Sequence, residues 1–261
     1  MLSAHDLEDL ELAHNLLENP GLAARISAAV GTPLEAGFDL LPQNARELIA
    51  QATRQALDRA LTFALVTLDD RPRKESTEWV HKLMAATTGA AGGFFGLPAL
   101  AVELPISTTI MLRSIADVAR SEGEHIKTAQ TKMACLEVFA LGGRRPGDDA
   151  SESGYFFVRG AMAKAMAEAA EFVAQRGLTQ ETAPVMVRFL VQIAQRFSIP
   201  VTQKVAAQML PVVGAAGGAL LNTLFMDHFQ NMARGHFIVR RLERVHGSQI
   251  VRRAYDSLPQ P

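Results

Sequence analysis

The stretch "TTGAAGGFFGLPALAVELPISTTIMLR", Thr87 to Arg113, contains one acid, Glu103, before its closing arginine, and four glycines between Gly89 and Gly96. No other feature limits the fold as strongly. A glycine inside a helix costs ~1 kcal/mol relative to alanine, so a cluster of them needs a compensating contact. Gly89/Gly93 and Gly92/Gly96 are each four apart and share a helix face. Such faces let two backbones approach closely.

The same five residues, GAAGG, recur at Gly214–Gly218, with Gly214, Gly217 and Gly218 in the second copy. Each copy follows an apolar helix with a basic start, Lys82 or Lys204, and each precedes a glycine-bearing helix end, "ARSEGEHI" or "ERVHGSQI". This echo suggests two pseudo-equivalent halves whose GAAGG helices cross at their glycines. A phosphate loop does not fit, because no Gly-Lys-Ser/Thr follows and no strand precedes.

Nearly every segment has helical period and none has the alternation of a strand. The expectation is an all-α bundle of roughly nine helices around two glycine-rich apolar hairpins. It forms one domain over 1–261: N-terminal helices (1–76), a first glycine-rich half (77–143), a loop (144–154) and a second half (155–256). Helices are expected over Ser3–Asn19, Pro42–Leu68, Glu75–Phe95, Ala99–Glu122, Glu124–Leu141, Tyr155–Arg176, Pro184–Phe197, Thr202–Val213, Gly214–Val245 and Ser248–Asp256.

Leu83–Leu112 carries a single charge and Val205–Met226 none. Both exceed the ~20 residues that span a bilayer. Pro98 and Pro105 divide the first, however, and the unbroken Leu83–Leu97 would reach only about 22 Å. Buried hairpins, re-entrant hairpins and spanning helices all remain open. The N-terminus has no basic start or apolar run of a secretory signal, and Cys135, the single cysteine, fits a reducing compartment. The expected place is therefore the cytoplasm, peripheral at the inner face of the membrane. A net charge of −1 excludes a general nucleic-acid binder.

Glu103 is the acid whose burial is expected, and it needs a cationic partner such as Arg113 or an arginine of the second half. Between Arg234 and Arg253 stand six arginines and one acid. Arg240, Arg241, Arg244, Arg252 and Arg253 are candidates for contact with anionic head groups. Cys135, inside "TKMACLEVFAL", is read as a buried thiol. No spacing calls for a metal or other cofactor.

"AAGGFFGLPALAVELPISTTIMLRSIADVARSEGE" (Ala90–Glu124) and "ACLEVFALGG" (Ala134–Gly143) resemble the EcsC protein family of bacteria, over about Trp79 to Gly247. The resemblance implies a helical, membrane-associated protein. That family is named after the third product of an operon encoding an ABC transporter, and it offers no agreed catalytic residues to carry over. The expected function is a membrane-peripheral accessory or lipid-binding protein without catalysis, with a lipid surface or a membrane protein as partner. The alternatives are a hydrolase acting on lipid or peptide with Glu103 as acid/base, and a protein-interaction scaffold.

Overall fold

The structure is a computed structural model that describes residues 2–18, 21–68, 100–143, 154–176, 183–211 and 214–259. Within them lie ten helices and no strand: α1 (Ala4–Glu18), α2 (Leu22–Val30), α3 (Glu35–Asp39), α4 (Ala45–Thr67), α5 (Leu100–Ser121), α6 (Ala129–Leu141), α7 (Gly154–Arg176), α8 (Pro184–Met209), α9 (Gly214–His246) and α10 (Ser248–Asp256). The all-α bundle expected from the periodicity is present.

Helix α9 is the longest of the ten and serves as the central rod. Helices α1, α2, α5, α6, α8 and α10 pack along it. One end of the bundle is marked by Lys204 of α8 bonding Glu103 in the first turn of α5. Gly37 of α3, just before α4, lies against the Ala206 carbonyl close by on α8. At the other end Lys132 bonds the Leu65 carbonyl of α4 (3.1 Å), and its neighbour Thr131 bonds Glu124, just past α5 (2.9 Å). Helices α4 and α5 therefore run side by side in the same direction. Midway, Phe139, Phe197, Phe225 and Phe229 join α6, α8 and α9, with ring centroids 4.9–6.1 Å apart.

Three local expectations need correction. Pro184–Met209 is one helix, not two, although Pro200 lies inside it. A proline leaves the carbonyl four residues earlier without its helix bond. Here that is Arg196, and Gly143 packs so tightly against it that a Cβ would come within 2.1 Å of the oxygen. The chain from Leu22 to Asp39, left unassigned by periodicity, forms two short helices. The first ends on Gly31 at φ 70°, the left-handed cap that glycine favours. Helix α6 begins at Ala129 rather than Glu124, after a turn capped by Thr128, whose Oγ1 accepts from the Thr131 amide at 3.2 Å.

Gly89, Gly92, Gly93 and Gly96, and with them the expected crossing of the GAAGG helices, lie outside the described residues. Gly214 starts α9, Gly217 is half-buried and Gly218 is buried. The other end of the echo does share a geometry. Gly123 and Gly247, which follow the two matching helix ends, both have positive φ, 78° and 87°, although Gly247, with ψ 144°, lies outside the left-handed helical region.

Candidate functional site

Glu103 is buried, and its partner is Lys204, which donates to Oε1 at 2.5 Å. The two side chains are 5% and 0% exposed. The Phe225 ring lies 5.2 Å from the ammonium and adds a cation–π contact. Arg113, the partner considered from sequence, is exposed. The helical rise places it about 15 Å further along α5 and off the buried face. With its carboxylate bound to an ammonium in the interior, Glu103 acts as a clamp between α5 and α8.

Near the C-terminus of α9 the arginines are not a free cationic face. Arg240 donates to Glu124 through Nε (2.8 Å) and Nη2 (3.3 Å), and Arg244 reaches the same carboxylate. Burial alone would raise the Glu124 carboxyl, but Arg240, Thr131 and Arg244 hold it below its ordinary value. Arg241 ties α9 to Asp9 of α1 (2.7 Å) and to Glu122 (2.8 Å). Of the five arginines read as head-group contacts, Arg240, Arg241 and Arg244 are thus engaged with carboxylates far away in sequence. Arg252 stands 3.6 Å from Asp256 with its side chain 63% exposed, and Arg253 is exposed.

Between these two ends lies a cluster that sequence reasoning missed. Glu137 of α6, Tyr155 and Arg159 of α7, and His236 and Glu243 of α9 come together. Arg159 clasps Glu243 with two bonds of 3.0 Å and donates to the Tyr155 hydroxyl at 3.2 Å. That hydroxyl is 3.0 Å from His236 Nδ1. With Arg159 donating to it, its own proton is placed to go to Nδ1. The imidazole proton then sits on Nε2, which is buried, has no hydrogen-bond partner and stops 3.8 Å short of Glu137 Oε2.

Burial, followed by the field of Arg159 and Arg240, pushes His236 well below its ordinary value, so the ring is neutral. Burial likewise pushes Glu137 up to about 7 against the pull of Arg159 and Arg240, and it raises the Tyr155 hydroxyl too. Cys135, on the same helix as Glu137, is fully buried and pushed up to about 12, again mainly by burial, so it stays a thiol. Two pockets meet at Arg159 and Glu243. One, of about 320 Å³, reaches Glu137 and is walled by α7 and the start of α10. The other, of about 470 Å³, lies over Glu124, Arg240 and Arg244. Among the described residues no group of three His, Cys, Asp or Glu is arranged to hold a metal ion.

The model of the EcsC protein family matches residues 6–242. The chain belongs to that family. The match begins in α1 and runs into α9 as far as Leu242, so it takes in the N-terminal helices, which the sequence resemblance had not covered. In this EcsC chain the family region holds Glu103, Lys204, Glu124, Arg240, Glu137, Tyr155 and His236, while Glu243 and α10 lie beyond it. No curated protein and no solved structure matches the chain.

Proposed function

We propose that this EcsC protein acts by binding rather than by catalysis, as a peripheral protein at the inner face of the cytoplasmic membrane. It meets lipid with the end of the bundle formed by α3 and the starts of α5 and α9. The observation that carries the reading is the exposure of large apolar side chains there: Val102 at 63%, Leu40 at 51%, and Phe38, Ile106 and Leu220 at about 40%. Val102 and Ile106 stand beside Glu103 on α5, and α5 and α9 both emerge from the uncharged stretches of the sequence. Exposed apolar groups gathered at one place mark an interaction surface more often than a solvated one.

Among the described residues no helix is long and apolar enough to cross a membrane. The arginine-rich end supplies little attraction to head groups, because Arg240, Arg241 and Arg244 already have carboxylate partners. Binding is therefore apolar in origin and tolerant of salt. Co-sedimentation with phosphatidylglycerol–phosphatidylcholine vesicles tests this. The expected result is protein in the pellet at both 50 mM and 500 mM salt. Protein left wholly in the supernatant at low salt overturns the proposal, and binding abolished by salt assigns it to the arginines instead.

A further inference from the structure

The pocket between α7, α9 and α10 is a second feature that points to a ligand, and it stands independently of the membrane reading. Its volume, about 320 Å³, falls at the lower end of small-molecule sites. One wall is apolar, made by Phe156, Ala163 and Met166, with Gly160 at an open mouth. Arg159 and Arg252 also line the pocket, with guanidinium groups 5.6 Å and 5.3 Å from the Phe156 ring. Glu243 neutralises Arg159 with both oxygens. The acid nearest Arg252 is Asp256, at 3.6 Å and beyond hydrogen-bond reach, so the pair of guanidinium groups leaves one positive charge weakly matched.

Ser248 and Gln249, the first residues of α10, line the pocket too. Gly247 caps that helix without a side-chain bond. The first amides of a helix lack internal acceptors, and its N-terminus favours negative charge. Glu137 lines the pocket as well, and behind its carboxyl, 3.8 Å from Oε2, stands the Nε2 of fully buried His236, which does not itself line the pocket.

We infer that this pocket binds a small amphiphile with a single anionic head, a carboxylate or a phosphate monoester. The head lies between Arg252, the start of α10 and the Glu137 carboxyl, and the apolar chain runs along Phe156 and Met166. An anion beside a carboxyl is tolerated when the carboxyl is protonated and donates to it. The charged and titratable groups around Glu137 are Tyr155 and Arg159 on α7, His236, Arg240 and Glu243 on α9, and Arg252 on α10.

The probes are octanoate, octyl phosphate and octyltrimethylammonium, titrated calorimetrically into the full-length protein without any bilayer. The two anions are expected to bind and the cation is not. Octanoate should bind several-fold more tightly at pH 6 than at pH 8, a dependence that Glu137→Gln removes. A Cβ at Gly160 meets nothing within 4 Å, and Gly160 lines the pocket. Gly160→Leu should therefore fill the pocket without unfolding α7 and weaken octanoate at least tenfold, while Gly160→Ala keeps binding. Arg252→Gln should weaken it several-fold.

No binding of either anion, equal binding of anion and cation, or undiminished binding by a folded Gly160→Leu protein overturns the inference. A flat pH profile overturns the part given to Glu137. The source of the ligand is read separately. If Gly160→Leu also lowers retention on vesicles carrying phosphatidic acid, the head belongs to a membrane lipid; if retention is unchanged, it belongs to a soluble amphiphile. Because the titrations use no membrane, their failure leaves the vesicle result standing, and the reverse holds too.

Discussion

The two ends of α9 handle charge in opposite ways. Toward Gly214, the helix buries Leu221, Phe225, Met226 and Phe229, and the neighbouring interior holds the ion pair Glu103–Lys204, sealed from water. Toward His246, Arg240, Arg241, Arg244 and His246 share Glu124, Glu122, Asp9 and Asp6 in a network open to solvent on its outer side. In the sealed pair each charge depends wholly on the other, because no water can replace a lost partner. In the network several partners and the solvent back each other up, and single contacts count for little. Exposed apolar side chains occur at both ends, with Val102, Leu40 and Ile106 at the sealed one and Val66, Val245 and Ile250 at the other, but only the second end carries a charge network, and it has used those charges on itself.

The largest effect should come from splitting the sealed pair. Lys204→Met leaves Glu103 buried without a cation and should cost about 3–5 kcal/mol in urea denaturation. The double change Glu103→Leu with Lys204→Met should recover most of that loss. Equal destabilisation by the single and double variants would show that packing, not charge, makes this end different.

Glu137 sits where the two regimes meet, buried like Glu103 but within the field of the arginines. Its folded-state value, about 7, lies above the ordinary 4.5, so the folded chain holds the proton more tightly than the unfolded one. The resulting stabilisation is fully present below pH 4.5 and is lost as pH rises through 7, by on the order of 3 kcal/mol. Glu137→Gln should flatten that part of the stability–pH curve. An unchanged slope in the variant would place the proton elsewhere.

The smallest effect belongs to the network. Arg241→Ala should cost less than about 1 kcal/mol, and less still at high salt. A loss comparable to that of Lys204→Met would erase the contrast.

Some of this was legible in the sequence. Glu103 stood out as the lone acid among apolar residues, and Lys204 as the basic start of the stretch before the second GAAGG. Their pairing was not legible, because it joins residues far apart in the chain through a fold that periodicity does not give. Glu137 escaped because α6 is buried from Met133 to Leu141. A helix covered on every side has no polar stripe against which an inward acid looks misplaced. The pairing of Arg240, Arg241 and Arg244 was not legible for a related reason. A run of charge in sequence reads as a free face, and only the return of α1 and the Glu122–Glu124 turn shows that it is already matched. The sequence split this stretch on either side of Pro200, yet the helix runs through it, with Gly143 lying against the carbonyl that the proline frees.

The most direct measurement compares two variants on vesicles. In Val102→Asp/Ile106→Asp, charges are placed on exposed positions at the apolar end; in Arg241→Ala/Arg244→Ala, the network at the other end is thinned. The account predicts that the first loses vesicle binding at 150 mM salt while remaining folded, and that the second binds as the unaltered protein does. Binding kept by the first and lost by the second would contradict it.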